Sequence, residues 1–322
     1  MMRSLPLGVD IGATRLRLVH TVVTEDGPKL RAVATRDLAQ DVATSGIIID
    51  QEYVAAAIEE AYEELQTAER RCVLSVGEPD AVLRSVEFPK MTEMERGRAA
   101  VFEAQRYIDY SIEEALVRMH PVEERTEVYA IGVIRAKVLH SRIATIKAAG
   151  LRPLAADHEG LALGRALPGY DAILDIGHER TSIHIYAGSA PLTLQHVAGG
   201  AEITRGIERD LAVDARSAEK RKRILGTAGA GESARSAFLA DITSLLETAS
   251  SRTGVLARVA LFGNGCRLNN FAVDLERATG LLVETPASKL LRGDAYPTDV
   301  VRAGAADWNL AAGLATWGLS AA

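Results

Sequence analysis

The chain writes the same word twice. "LGVDIGATRLRLVH" (7–20) and "AILDIGHERTSIHIY" (172–186) each run from a short apolar stretch into Asp-Ile-Gly, then into residues that alternate apolar and polar. A buried run, a glycine turn and an alternating run predict a β-hairpin. Two such hairpins in 322 residues, each followed by helical segments, predict two α/β halves built on one plan.

The remaining segments fit that plan. After the first hairpin, "EDGP" (25–28) reads as a turn and "KLRAVAT" as a third strand. Val54, Ala57, Ile58, Ala61, Tyr62 and Leu65 recur at helical spacing behind Asp50, a residue suited to cap that helix. Residues 72–135 read as a self-contained insert: a strand "AVLRSVEFP" stopping at Pro89, a helix from about Thr92, and a buried strand "EVYAIGVIR". A helix ending at Gly150 and a helical "HEGLALGRAL" close the first half. In the second half "LTLQHV" returns as a strand and helices fill about 201–252, including the basic "EKRKRIL". "RVALF" then reads as a buried strand that breaks at "GNG" into another helix.

Composition narrows the classes of function. With 48% hydrophobic and 25% charged residues the chain is an ordinary globular protein, long enough for about two domains. A net charge of −6 argues against a nucleic-acid binder. Cys72 and Cys266 form no framework, which suits a reducing compartment. No signal-peptide core and no run of about 18 apolar residues occurs, so the expectation is a cytoplasmic protein that meets membranes only through partners.

Why place Asp-Ile-Gly at a hairpin turn? Glycine lets backbone N–H groups approach an anion, and the neighbouring carboxylate can hold Mg²⁺ through water. Asp10, Gly12, Asp175 and Gly177 are therefore candidates for a two-sided polyphosphate clamp, with Asp10 and Asp175 the metal-facing carboxylates. A Walker A string is absent, and "GTAGAGES" (226–233) reads as a flexible loop. Gly263 and Gly265 in "GNGCRL" follow a strand and open a helix, where a nucleoside could approach. The seven histidines show no zinc spacing, and no nucleophile elbow occurs.

These residues resemble the actin-like ATPases, and within them the PilM branch of type IV pilus assembly proteins. The two hairpins are similar to that family's phosphate hairpins. "VAGGAEITRGIERDLAV" (197–213) is similar to its Gly-Gly segment leading into a Thr-bearing helix, "AEKRK" (218–222) to its nucleoside-touching helix, and "VALFGNGCRLNNFAVDLERATGLLVETP" to its adenosine motif. Residues 75–115 resemble the branch's inserted subdomain and "DHEGLALGRAL" its connecting helix.

The resemblance implies a duplicated actin-like, ribonuclease H-like α/β fold, with two lobes around a nucleotide cleft and a small inserted α+β subdomain. It assigns 1–71, 136–168 and 301–322 to subdomain 1A, 72–135 to the insert 1C, 169–200 and 256–300 to 2A, and 201–255 to 2B. It implies ATP and Mg²⁺ as cofactors. The nucleotide would be held by Asp10, Gly12, Ala13, Thr14, Arg15, Asp175, Gly177, His178, Arg180, Gly199, Gly200, Glu219, Lys222, Gly263, Asn264 and Gly265. Asp157 and Glu159 are the candidates for positioning the attacking water; Asp157 could equally cap a helix. Implied partners are the N-terminal tail of a PilN-like inner-membrane protein beside the insert, pilus motor ATPases and further copies of the chain.

Arg15, His178 and Arg180 stand where the family keeps small or hydroxyl side chains, and Asn264 replaces a glycine. The cations could touch the γ-phosphate, fill the pocket, or lie on the solvent side of their hairpins. ATP binding with slow or undetectable turnover is the expectation. A nucleotide-independent adaptor and a sugar kinase of the same superfamily are the alternatives.

Overall fold

The computed structural model describes residues 3–319 apart from 40–41, 45, 123–126, 187–191, 197, 255, 264, 266–267 and 292–304. The chain divides into two units, Met1–Pro168 with Ala287–Ala322, and Gly169–Pro286.

Unit 1 is built on a twisted sheet. Its strands are β1 (Arg3–Ser4), β2 (Leu7–Ile11), β3 (Arg15–Thr24), β4 (Gly27–Asp37), β7 (Arg71–Val76) and β11 (Arg152–His158), while β5 (Ala43–Thr44) and β6 (Ile47–Ile48) form a separate ribbon. The main order is β4-β3-β2-β7-β11, with short β1 also paired to β3. The β2–β3 and β3–β4 pairs are antiparallel; β2–β7 and β7–β11 are parallel.

One face of this sheet, carrying Leu7, Val9, Cys72 and Leu74, packs on α1 (Gln51–Glu64) and α3 (Ala136–Ala148). Asp50 caps α1 by accepting from the Tyr53 N–H at 3.0 Å, and Val54, Ala57, Ile58, Ala61 and Tyr62 are buried as their spacing predicts. On the opposite face the C-terminal helix α9 (Asn309–Ala315) lies between the sheet and α4 (Glu159–Ala166). Contact there is backbone to backbone. A Cβ on Gly8 would stand 2.0 Å from the Ala311 carbonyl oxygen, and one on Gly313 1.9 Å from that of Ala162.

The insert has its own sheet, β8 (Ala81–Glu87), β10 (Val128–Arg135) and β9 (Ala115–Pro121), in the order β8-β10-β9, covered by α2 (Glu93–Ala104). Thr92 and Glu95 form a reciprocal capping box at the start of α2. The strand before it, β7, belongs to the main sheet, so the insert's own sheet begins at Ala81.

Unit 2 repeats the plan. Strands β12 (Ala172–Ile176), β13 (Thr181–Ile185), β14 (Leu192–His196), β15 (Arg258–Phe262) and β16 (Leu282–Glu284) run in the order β14-β13-β12-β15-β16. The sense of each pairing matches unit 1: antiparallel, antiparallel, parallel, parallel. Helices α5 (Ala201–Leu211), α7 (Glu232–Thr253) and α8 (Phe271–Thr279) bury Ile203, Ile207, Phe238, Ile242, Leu246, Phe271 and Leu275 against Leu174, Ile183 and Leu261. Between α5 and α7 lies α6 (Ala215–Leu225), which carries the basic segment. "GTAGAGES" forms the short turn from α6 into α7, where Thr227 Oγ1 donates to Glu232 at 2.9 Å. Among the described residues no helix is long and apolar enough to cross a membrane.

Candidate functional site

The first Asp-Ile-Gly turn joins β2 to β3. The Gly12 N–H donates to the Arg15 carbonyl at 3.0 Å, and a Cβ on Gly12 would stand 3.1 Å from that oxygen. Among the described residues, the N–H groups of Ala13 and Thr14 make no backbone hydrogen bond, so they are open to an anion. Arg15 is drawn aside. Its Nε and Nη2 both lie 2.7 Å from Oδ1 of Asp37, its cross-strand partner on β4.

Behind the turn lies a buried ionic network. Asp10 accepts from Arg17 Nη1 at 3.2 Å, and Arg17 Nη2 reaches Asp307 at 3.8 Å. Burial raises the Asp10 pKa, although Arg17 and Arg142 pull it down. Arg142 rises from α3, itself buried, and donates to the carbonyls of Gly46, Ser75 and Ile11 at 3.1, 3.2 and 3.5 Å. Glu159, at the start of α4, completes the group. Its carboxylate packs on Gly77 so closely that a Cβ there would stand 2.1 Å from Oε2. Desolvation raises Glu159 to about 7; Arg142 lowers it, while Asp10 and Glu78 add to the rise. A carboxyl group that titrates near neutrality behind the first Asp-Ile-Gly turn can accept a proton from water.

The structure separates Asp157 from this group. Asp157 is buried and ion-paired with Arg165 of α4, whose Nε and Nη2 also donate to the Gly313 carbonyl at 3.2 and 3.0 Å. It thereby ties α4 to α9, and only Glu159 joins Asp10.

The second turn has the same backbone. The Gly177 N–H donates to the Arg180 carbonyl at 2.9 Å, and a Cβ on Gly177 would stand 3.0 Å from that oxygen. Here a second segment clamps the turn from outside. The Gly200 N–H donates to the Gly177 carbonyl at 3.0 Å and the Ala201 N–H to the His178 carbonyl at 2.7 Å. A Cβ on Gly199 would lie 2.6 Å from both Arg180 N and His178 O, so only glycine fits. Among the described residues the N–H groups of His178 and Glu179 make no backbone hydrogen bond. His178 is exposed, whereas Arg180 and Asp175 are half-buried.

From Gly200 the chain enters α5 and meets α6 in a polar knot. Lys222 Nζ donates to the Gly200 carbonyl at 2.8 Å and to Thr204 Oγ1 at 2.7 Å, and lies 2.7 Å from Glu219 Oε2. Thr204 Oγ1 donates to Glu219 at 2.7 Å. Burial alone would raise Glu219, but hydrogen bonds from Lys222 and Thr204 outweigh it and bring the pKa down to about 2. Burial lowers Lys222 against the pull of Glu219.

The Gly263–Gly265 loop follows β15. A Cβ on Gly263, at φ +78°, would stand 2.4 Å from Asp175 Oδ1, and one on Gly265 2.1 Å from Ile176 Cγ2. Both glycines let this loop lie on the end of β12; Asn264 between them lies outside the described residues.

Three side chains of the site escaped the sequence reading, Arg17, Arg142 and Asp307, whereas Thr204 is the threonine of the Thr-bearing helix read at 197–213. Arg17 had a signal, because a turn at 12–15 sets it directly across from Asp10. Arg142 and Asp307 arrive from distant segments and have no local signature.

The residues fit the phosphates of a nucleotide, since each turn combines a glycine backed by a carbonyl with unengaged N–H groups. They fit a directly bound metal less well. Arg17 already engages Asp10, and no group of three or more His, Cys, Asp or Glu among the described residues could hold an ion.

Two units that share a five-strand order, with β1 added in unit 1, and that each open on an Asp-Ile-Gly turn have the actin-like ATPase fold. The model of a family described as "Type IV pilus assembly protein PilM" matches residues 8–317, and the chain belongs to that family. A solved structure titled "PilM-PilN type IV pilus biogenesis complex" superposes with a TM-score of 0.84 at 25% identity, covering 98% of this chain and 99% of that one. The ethanolamine utilization protein EutJ from Carboxydothermus hydrogenoformans shares the fold, with a TM-score of 0.61 at 15% identity over 97% of this chain and 89% of that one. No curated protein matches the chain by sequence.

Proposed function

We propose that the chain is an ATP-binding scaffold of a type IV pilus or related machine, docking the cytoplasmic tail of a PilN-like inner-membrane protein. The observation that carries this reading is the match over nearly the whole chain, insert included, to a family member seen in complex with PilN. Attachment beneath the inner membrane would then come through that tail, in the groove beside the insert.

For ATP, the turns at Gly12–Arg15 and Gly177–Arg180 offer N–H groups to phosphate oxygens. Glu219 and Lys222 take the nucleoside, and Gly199 and Gly200 hold the second turn in shape. Mg²⁺, carried with the nucleotide, supplies charge neutralisation. Asp10 and Asp175 would meet it through its water shell, Asp10 through the carboxylate oxygen that Arg17 leaves open. Turnover is slow, with Glu159 rather than Asp157 orienting the water, since Asp157 is engaged by Arg165.

The Arg17–Asp10 pair favours a second reading, a nucleotide-independent adaptor. Calorimetric titration of the folded chain with ATP-Mg²⁺, then with a synthetic tail peptide, decides between them. Binding of both supports the scaffold as proposed. Tail binding without ATP binding leaves the adaptor, and binding of neither refutes both.

A further inference from the structure

Helix α3 writes a cation into an apolar stripe. Val138, Arg142 and Ile146 recur at every fourth position and all are buried, so residue 142 occupies a core position. A buried guanidinium is costly unless its charge is matched, yet this one makes no ion pair among the described residues. Its hydrogen bonds go to carbonyls, from Nε to Gly46 at 3.1 Å and from Nη1 to Ser75 at 3.2 Å and Ile11 at 3.5 Å. Nη2 donates to nothing among the described residues, which leaves its N–H bonds unspent. Glu159, then Asp10 and Asp80, are the carboxylates that act on its charge.

The Ile11 carbonyl shares a peptide with the Gly12 N–H, which donates to the Arg15 carbonyl at 3.0 Å. Arg142 and that carbonyl thus grip one rigid peptide from opposite ends, and the open N–H groups of Ala13 and Thr14 follow its orientation. The matching carbonyl of unit 2, on Ile176, is covered by backbone instead, since a Cβ on Gly263 would stand 2.6 Å from it.

We infer that Arg142 is a positioning residue of the first turn, which holds the turn's peptide and sets behind it a fixed positive charge favouring a triphosphate over a diphosphate. The inference rests on the ATP-binding reading above, in which Glu159 orients water on the phosphate held at this turn. ATP carries more negative charge than ADP, and a cation screened from water feels the difference strongly. Arg142 cannot swing away, because carbonyls from three segments fix it. Arg17, the other buried cation here, is already committed to Asp10 and Asp307.

Calorimetric titration of the full chain with ATP-Mg²⁺ and with ADP-Mg²⁺, as parent, Arg142→Gln and Arg142→Lys, tests it. Arg142→Gln keeps a donor for the carbonyls and removes the charge. It should weaken ATP at least about tenfold and ADP less than about threefold. Arg142→Lys keeps the charge and should hold the preference for ATP over ADP within about threefold of the parent's, a rescue that a purely structural arginine would not give. Should the Gln variant fail to fold, the parent supplies a second readout. The Nε–H resonance of Arg142, identified by its absence from Arg142→Lys, should shift further with ATP-Mg²⁺ than with ADP-Mg²⁺. Equal losses for the two nucleotides, or a resonance that answers both alike, would overturn the role and leave ATP binding standing. A parent that binds neither nucleotide would refute the ATP-binding reading and this inference together.

Discussion

Unit 1 and unit 2 fold the same turn and surround it with opposite chemistry. The closing hydrogen bonds differ by only 0.1 Å, 3.0 Å at Gly12 and 2.9 Å at Gly177. Behind the first turn, burial pushes Asp10 and Glu159 upward, Glu159 to about 7. Near the second, Lys222 and Thr204 hold Glu219 down at about 2. Unit 1 thus keeps a group able to exchange protons near neutrality, whereas unit 2 keeps a fixed ion pair beneath an external clamp. A turn's backbone can be repeated wholesale while the helices behind it decide what it does.

The clamp is where the comparison breaks most sharply, because Gly199 presses on the second turn. Gly199→Val should destabilise unit 2 by about 3 kcal/mol or more, since its side chain would displace backbone and not a flexible tip. Urea unfolding followed by probes placed in each unit checks this; a loss under about 1 kcal/mol would mean the Gly199 contact is not rigid. Lys222→Met comes next, at about 1–2 kcal/mol, because it removes one of the two cations on the half-buried Glu219 carboxylate and leaves Arg223 Nε at 3.0 Å and Thr204 in place. Its pH signature follows from Glu219. A folded pKa near 2 against an ordinary 4.5 stabilises the fold above about pH 4.5, and that stabilisation is lost as pH falls from 4.5 toward 2. Removing Lys222 should move acid unfolding, read by circular dichroism, to higher pH.

Glu159→Gln sharpens the comparison from the other side. A carboxyl raised to about 7 binds more protons in the folded state between pH 4.5 and 7, so its contribution to stability falls as pH rises through that window. The Gln variant should therefore be more stable than the parent at pH 8, by roughly 1–2 kcal/mol, and equal to it below about pH 4.5. The difference between the two proteins is the proper readout, because buried His158, lowered to about 4, moves stability the opposite way between pH 6.5 and 4. Any slow ATP turnover should fall in the variant only by the share owed to proton acceptance, because its amide can still orient the water, as a glutamine does in GTPases.

What the sequence revealed follows the same divide. Period-two strands and capped helices were legible because their signals are local: Asp50 and Thr92 start α1 and α2 where residue type and spacing place them. Strand β11, "RPLAADH", was not legible. Among the described residues it pairs only with β7, its exposed and half-buried positions carry Arg, Pro, Leu and Ala, and parallel pairing makes it a strand. Within the site the glycines could be read, since a turn demands them locally. The partners of Asp10 and Glu159 could not, because Arg142 and Asp307 are brought in by the tertiary fold. The odd cations split. Arg15 is a cross-strand partner of Asp37, while His178 is exposed at its turn and Arg180 is half-buried.

That split carries the smallest prediction. Arg15 and Asp37 form an exposed pair, with side chains 30% and 77% accessible, and exposed pairs contribute about 0–1 kcal/mol. Arg15→Ala should change unfolding free energy by less than about 0.5 kcal/mol. It should also leave ATP affinity within about twofold, because its guanidinium lies along β4 and not over the Ala13 and Thr14 N–H groups. Asp37→Ala separates the two reasons Arg15 could matter. If ATP binding tightens when Asp37 is removed and weakens about tenfold when Arg15 is removed, the guanidinium leaves β4 to meet phosphate. Arg15 would then be a ligand that Asp37 holds in reserve. If neither variant alters the titration, the first turn works through its backbone alone, as its shared geometry with the second implies.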